Sequence, residues 1–398
     1  MGPRGRPVPT LFVTQHNLEA LLLYPRRPAD VDHEASTLSQ YRTPILCALI
    51  TAVLIGGSAP FTKLLLDGAG PLALAALVSL GSGSGALLFS LFGTAAGTRR
   101  SHVEAPPGRS DIPWLIGVTV FGGVLAPVTL IFSLPGTPAA TAALLLNFEA
   151  VATTLIAAAV FGEWVSRRVW VALGCITASC ILLTCDPVTG FGLSLPALGI
   201  LLTCLFWAVD NNLGQRLSAK DPLLTISIKG IGAGIITLLF TVAAGEPFPD
   251  PVTTAAAMVI GFLCYGGLTS ILFLLALRGI GAARAGSLLA VSPFFGVLFS
   301  LVLFAELPAG AFYVALPVMA LGAWLLISEE HSHPHRHPPV VHEHRHRHDD
   351  LHHDHTHTVD DPPLSSATDE HSHVHAHAEL FHEHPHQPDI HHRHPHRR

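Results

Sequence analysis

The sequence predicts an all-α polytopic membrane protein: ten transmembrane helices forming two inverted five-helix repeats, with a disordered histidine-rich tail behind them. Three observations carry that reading. The 398 residues are 49% hydrophobic and 13% charged, with a mean hydropathy of +0.48, whereas soluble domains are roughly a quarter charged. Apolar runs of bilayer-spanning length recur from about residue 44 to residue 328. Of the 26 histidines, all except His16, His33 and His102 lie at or beyond His331. The net charge of −6, with basic residues in small scattered groups, excludes a nucleic-acid partner. The same composition excludes a wholly disordered chain and a disulfide scaffold.

Residues 1–43 read as a disordered cytoplasmic leader. Pro3, Pro7, Pro9, Pro25 and Pro28 interrupt it, and Arg26, Arg27 and Arg42 precede the first long apolar run. The apolar patch at 20–23 is too short for a signal-peptide core. Arg6 stands where a myristoylation signal needs Ser or Thr.

A hydrocarbon core of roughly 30 Å takes about 20 apolar residues per helix. Ten runs fit, at approximately 44–66, 71–93, 113–134, 138–161, 168–185, 195–217, 222–244, 256–277, 280–304 and 311–328. Basic residues of short loops collect on the cytoplasmic side, and here they alternate. Arg99, Arg100 and Arg109 follow the second run, and Arg167 and Arg168 the fourth. Arg216 and Lys220 lie at the end of the sixth, and Arg278 follows the eighth. The loops after the odd-numbered runs carry no Lys or Arg. An even helix count then puts both termini, and the tail, in the cytoplasm of a cell bounded by the plasma membrane.

The membrane part repeats. A shift of 143 lays Ala139 on Ala282, Leu145 on Leu288, Phe161 on Phe304, Glu163 on Glu306, Val171 on Val314 and Leu182 on Leu325. A shift of 144 pairs Gly117, Gly122 and Gly123 with Gly261, Gly266 and Gly267. Because five helices is an odd number, the second copy enters the membrane from the opposite side. That is the inverted repeat of many secondary transporters, whose site lies near the midplane between the halves.

The string LLLNFEAVATTLIAAAVFGE at 144–163 and its second copy SLLAVSPFFGVLFSLVLFAE at 287–306 resemble the EamA repeat of the drug/metabolite transporter superfamily. The resemblance covers about residues 44–328. It implies first and second EamA-like repeats at 44–185 and 195–328, with a central cavity between two five-helix bundles. It also implies a carrier of amino acids, sugars, nucleotide-linked sugars, drugs or other metabolites. The proline that the family usually has after the acidic position is Ala150 in the first copy and is kept as Pro293 in the second.

Ionisable residues inside the hydrocarbon cost about 2.5–3.5 kcal/mol each and are functional candidates by default. Glu149 lies near the middle of the fourth run, two residues after Asn147, and its repeat counterparts are Ser292 and the following Pro293. The alternative for Glu149 is a protonated structural acid bonded between helices. Asp210, beside Asn211, Asn212 and Trp207, reads either as pore-lining or as an interfacial cap. Lys63, Lys229 and Arg284 are basic residues at moderate depth. Lys63 and Arg284 are placed to snorkel, Lys229 lies deeper, and one of the three is expected to neutralise Glu149. Gly81/Gly85 and Gly230/Gly234 are small-xxx-small pairs suited to close helix packing.

The six cysteines read as small packing residues, because Cys175, Cys180 and Cys185 do not share a helix face. No GKS or GKT, HExxH or GxSxG string occurs, so no hydrolase or ATP-driven pump is indicated. The chain is not expected to be an enzyme or to hold a tightly bound cofactor.

The tail, residues 329–398, is built twice. A shift of 40 pairs His331/His371, His333/His373, His335/His375, His337/His377, His342/His382 and His344/His384. With His346, His348 and His386 these form an alternating set that suits Zn, Ni, Co or Cu through neutral imidazole. A proton-titrating solubility tail is the bland alternative. Partners expected are membrane lipid, a small-molecule or ion substrate and divalent metal, and a homodimer is compatible with this reading. The function expected is a secondary transporter of drug/metabolite type with a metal-binding tail. The alternatives are a divalent metal-ion exporter fed by the tail, or a membrane-anchored metal store or sensor without transport.

Overall fold

The computed structural model describes residues 28–95, 105–162, 165–186, 192–218, 220–305 and 310–327, and in the tail 332–337, 340–346, 371–377 and 380–385. Helix α1 spans Pro28–Leu65, so the end of the expected leader is helical. Proline is favoured at a first helical position, and the Ala, Glu, Leu and Gln that follow sustain the helix. Residues 1–27 lie outside the described residues. The remaining description concerns the unit Pro44–Arg398.

α2 is Pro71–Ala95. The third span comprises α3 (Ile112–Val118), a π-helical stretch Thr119–Leu125 and α4 (Ala126–Ser133). The fourth comprises α5 (Ala139–Leu145) and α6 (Phe148–Phe161). Then follow α7 (Arg167–Thr184), α8 (Leu195–Gly214), α9 (Pro222–Ala243), α10 (Pro251–Cys264), α11 (Leu268–Leu289), α12 (Ser292–Phe304) and α13 (Gly310–Ile327). Against the ten runs expected, eight helical spans among the described residues are long and apolar enough to cross a membrane. The runs nearest the tail correspond to shorter apolar helices, Ser292–Phe304 and Gly310–Leu326.

Backbone irregularities fall at matching places in the two halves. The π-helical stretch contains Gly122 and Gly123. Their partners at a shift of 144, Gly266 and Gly267, lie in the break between α10 and α11, where Gly266 has φ +125°, a region open essentially to glycine alone. Between α5 and α6 the hydrogen bonds tighten by one residue: Asn147 N donates to Leu144 O at 3.1 Å and Glu149 N to Leu146 O at 3.1 Å. The matching break, between α11 and α12, is enforced by Pro293, which has no N–H to give. The helix therefore breaks in both copies, although only one keeps the proline. Cys204 of α8 supports the first break by donating its thiol to Leu145 O at 3.6 Å and Leu146 O at 3.7 Å. Both copies also end this helix on a left-handed residue, Gly162 at φ 70° and Ala305 at φ 50°, again 143 apart.

Packing follows the same correspondence. α2 meets α9 at Gly83 and Gly230, so close that a Cβ on either would overlap the other's backbone. Gly234 faces Leu80, while Gly81 and Gly85 face Met258 and Phe262 of α10. The small-residue pairs are thus packing surfaces. α5 lies against α12 at Ala143 and Gly296, and α7 against α13, where Ser179 Oγ donates to Ala315 O at 3.0 Å. α1 packs on the α11–α12 side through Cys47, Ala48, Ala276 and Ala285. The largest core cluster, including Leu130, Leu134, Leu144, Leu145, Ile176 and Ile200, joins the fourth, fifth and sixth spans.

The connections sort into two ends. At one, Lys63 Nζ donates to Thr137 O at 2.5 Å, and Glu246 accepts from Leu72 N at 3.3 Å and Ala73 N at 2.9 Å. Glu246 thereby caps α2 from the loop after α9. At the other end Ala105 pairs with Lys220, Asp221 N donates to Ala105 O at 2.9 Å, and Lys220 lies 3.7 Å from Asp111. This second end gathers loops that carry Lys and Arg. Arg99, Arg100, Glu163 and Glu306 lie outside the described residues, as do the side chains of Arg278 and Arg284.

The tail departs from the disorder expected of it. β3 (Ser332–His337) pairs antiparallel with β6 (Leu380–Pro385), and β4 (Val340–His346) with β5 (His371–His377). Alternating side chains satisfy the strand period of two, which is why so polar a sequence can form ladders. The only other strands among the described residues are the short pair β1 (Cys185–Asp186) and β2 (Gly192–Leu193). His331, His348 and His386 lie outside the described residues.

Candidate functional site

The break before Phe148 sets Glu149 in the first turn of α6, where the positive end of the helix dipole favours a carboxylate. Its Oε1 accepts from Asn211 Nδ2 at 2.7 Å. Asn211 also reaches Thr153 Oγ1 at 3.3 Å, one helical turn beyond Glu149. The neighbouring Asn212 turns inward, donating to Ala208 O at 2.8 Å and Thr153 O at 3.2 Å. Two adjacent amides of α8 thus clamp one face of α6.

On the next residue back, Asp210 Oδ2 accepts from Lys229 Nζ of α9 at 2.5 Å. The pair is largely buried, with side-chain exposures of 11% and 27%. Room for it comes from the π-helical stretch: a Cβ at Gly122 would overlap the Asp210 carboxyl, and one at Gly123 would fall 2.6 Å from Ala233 Cβ. Ser79 of α2 ties this stretch down by donating to Gly123 O at 3.1 Å. π-Helical turns are frequent at functional sites; this one exchanges regular helix for space beside a charge.

Lys229 therefore neutralises Asp210 and not Glu149. Ion-pair partners are fixed by which helices touch, which depth along separate runs does not reveal. Lys63 bonds Thr137 O and stands 5.7 Å over the Phe304 ring, at the opposite end from the basic loops. Asn147 caps no neighbour: its Nδ2 is buried without a hydrogen-bond partner. Ser292 and Pro293 open α12, where Ser292 O crowds Gly56.

A cleft of about 330 Å³ joins Asp210, Asn211 and Lys229 to Ser218, Lys220 and Thr225. It runs from the charged cluster toward the end where the basic loops gather. Two functional residues, Asn211 and Thr153, were legible only in part. Asn211 sits beside a flagged acid, whereas Thr153 is signalled only by its spacing of four from Glu149, which puts both on one helix face. Among the described residues no group of three or more His, Cys, Asp or Glu is placed to hold a metal. Cys47, Cys175, Cys180, Cys204 and Cys264 are free thiols.

Apolar spans with broken helices, converging on a small polar cluster at the foot of a cleft, define a multi-pass membrane protein of transporter type. The chain belongs to the EamA-like transporter family, which matches residues 42–185 and again 194–328. An uncharacterized transporter of Methanothermobacter thermautotrophicus (strain Delta H) is 26% identical over 279 residues, which is 65% of this chain and 79% of the relative. One solved crystal structure is similar over 72% of this chain and 96% of its own length, with a TM-score of 0.51 and 19% identity. That likeness is one of fold alone.

Proposed function

We propose that this membrane transporter of drug/metabolite type is a secondary carrier with ten spans in two inverted five-helix halves. It moves a small molecule across the plasma membrane, and both termini are cytoplasmic. The paired matches of one family to 42–185 and 194–328, the matched breaks and the reciprocal helix packing support the two-half arrangement. The observation that carries the site is the Glu149–Asn211 hydrogen bond beside the Asp210–Lys229 pair at the foot of the cleft. Asp210 and Lys229 cancel, leaving Glu149 as the group whose charge changes when a proton or a cationic part of the substrate binds. The histidine tail binds divalent metal on the cytoplasmic side and sets the rate of the carrier without supplying its cargo.

A metal exporter fed by the tail and a metal store without transport are the competing readings. Cells with and without the protein, grown across toxic Ni²⁺, Co²⁺ and Zn²⁺ and across inhibitory amino acids, separate the three. The carrier alters tolerance to an organic compound, the exporter alters tolerance to a metal in a Glu149-dependent way, and the store alters metal tolerance even when Glu149 is replaced.

A further inference from the structure

The two tail copies do not pair within themselves. At the shift of 40, β3 corresponds to β5 and β4 to β6, yet β3 pairs with β6 and β4 with β5. Each strand is therefore matched with the copy of its neighbour. The registers obey the same exchange: His335 opposes His382 and His342 opposes His375, while His333 opposes His384 and His344 opposes His373. The ladders are equivalent under exchange of the copies. A local hairpin within the first copy would have to turn at Pro338–Pro339, and proline's fixed negative φ is incompatible with the favoured two-residue hairpin turns.

Directly opposed residues of an antiparallel ladder share a face, as do alternate residues along each strand. In the β4–β5 ladder one face is therefore His342, His344 and His346 against His375, His373 and His371, with His377 opposite Val340. In the β3–β6 ladder it is His333 and His335 against His384 and His382, with His337 opposite Leu380. The other faces hold no histidine: Glu343 and Arg345 lie on one, and Pro334 and Arg336 on the other. Opposed positions stand about 4.5–5.5 Å apart at Cβ, a spacing that lets imidazoles on both strands share one ion at the usual metal–nitrogen distance of about 2.0–2.1 Å.

We propose that the tail holds two equivalent four-histidine metal sites, each built by both copies: His342, His344, His373 and His375 in one, and His333, His335, His382 and His384 in the other. The ligand class is a borderline divalent cation that accepts four imidazoles, of which Zn²⁺ in tetrahedral coordination is the best fit. An isolated two-stranded ladder is marginal in water, so the bound ion would act as the clasp joining the copies, and metal affinity would be folding energy for the tail. The proposal rests on the reading that the tail binds metal, and it adds that neither copy suffices alone.

The test uses the full chain in detergent, passed through gel filtration after loading with Zn²⁺ and assayed for retained metal. The Co²⁺-loaded protein is read by its ligand-field spectrum. Wild type should retain two ions tightly. His342→Asn with His344→Asn should remove one, and His373→Asn with His375→Asn should remove the same one. All four substitutions together should remove no more than one, whereas adding His333→Asn and His335→Asn should remove the second. Co²⁺ should give the intense tetrahedral spectrum, halved by either pair. If the four-fold variant loses twice what each pair loses, the copies bind independently; metal binding then stands and the shared sites fall. Absence of retained Zn²⁺ on the wild-type chain overturns both.

Discussion

Glu149 is the residue on which transport turns. Its hydrogen bond to Asn211 survives in Glu149→Gln, because an amide oxygen also accepts, but the ionisable group is gone. The expected result is full insertion with transport abolished or uncoupled, read by flux into proteoliposomes at several pH values. Wild-type flux with unchanged pH dependence would make Glu149 a structural acid. Lys229→Met leaves Asp210 without its counter-charge in a mostly buried place, a loss of up to about 3 kcal/mol. The double variant Asp210→Asn/Lys229→Met should regain most of that stability while remaining inactive, as thermal unfolding in detergent would report. Gly122→Ala forces a methyl into the Asp210 carboxyl and should cost about 1–3 kcal/mol as overpacking, together with transport.

At this scale the sequence pointed to the charged residues and not to their partners. Glu149, Asp210 and Lys229 stood out because charge in an apolar run is costly. That Asp210 takes Lys229 while Glu149 takes an amide depends on contacts between α6, α8 and α9, which lie up to 80 positions apart in the chain (149 to 229).

Among the elements, the caps give the sharpest expectations. Asp250 opens α10 by accepting from Val252 N at 2.8 Å, Thr253 N at 3.2 Å and Thr253 Oγ1 at 2.5 Å. The Thr253 hydroxyl above all, then these backbone amides, hold its carboxyl below the ordinary aspartate value of 3.8. A lowered native value means that the cap's contribution is present above the unfolded value and is lost as pH falls through the native one. Carboxyl titration by NMR should place Asp250 below 3.8, and Thr253→Val should raise it. Ala305 carries a left-handed backbone where its repeat counterpart is Gly162. An L-residue pays about 1–2 kcal/mol there, and glycine's looser unfolded chain offsets part of that. Ala305→Gly should therefore stabilise by roughly 0.5–1 kcal/mol in the same unfolding assay.

Helix existence was readable from run length, and the matching glycines foreshadowed the π-helical stretch and the break after Cys264. The break before Phe148 was harder to read, since Ala150 replaces the proline that marks its counterpart. It arises from tightened hydrogen bonds and a thiol reaching in from α8, and neither leaves a local signature. The extension of α1 back to Pro28 was missed because prolines and charges outweighed ordinary helix formers.

For the whole molecule, the two ends of the bundle differ in charge as the loop alternation required, and the cleft opens toward the basic one. A carrier with a metal-responsive tail and a metal exporter share this architecture and differ in what crosses. Truncation after Glu330 separates them, since the cluster around Glu149 is left intact. The decisive measurement is counterflow in proteoliposomes of the full-length and truncated proteins, using labelled Ni²⁺, Co²⁺ and Zn²⁺ beside a panel of labelled amino acids and sugars. The account predicts exchange of an organic substrate by both proteins, with metal changing the rate only when the tail is present, and exchange of no metal by either. Counterflow of any of the three metals by the truncated protein, lost in Glu149→Gln, would contradict it.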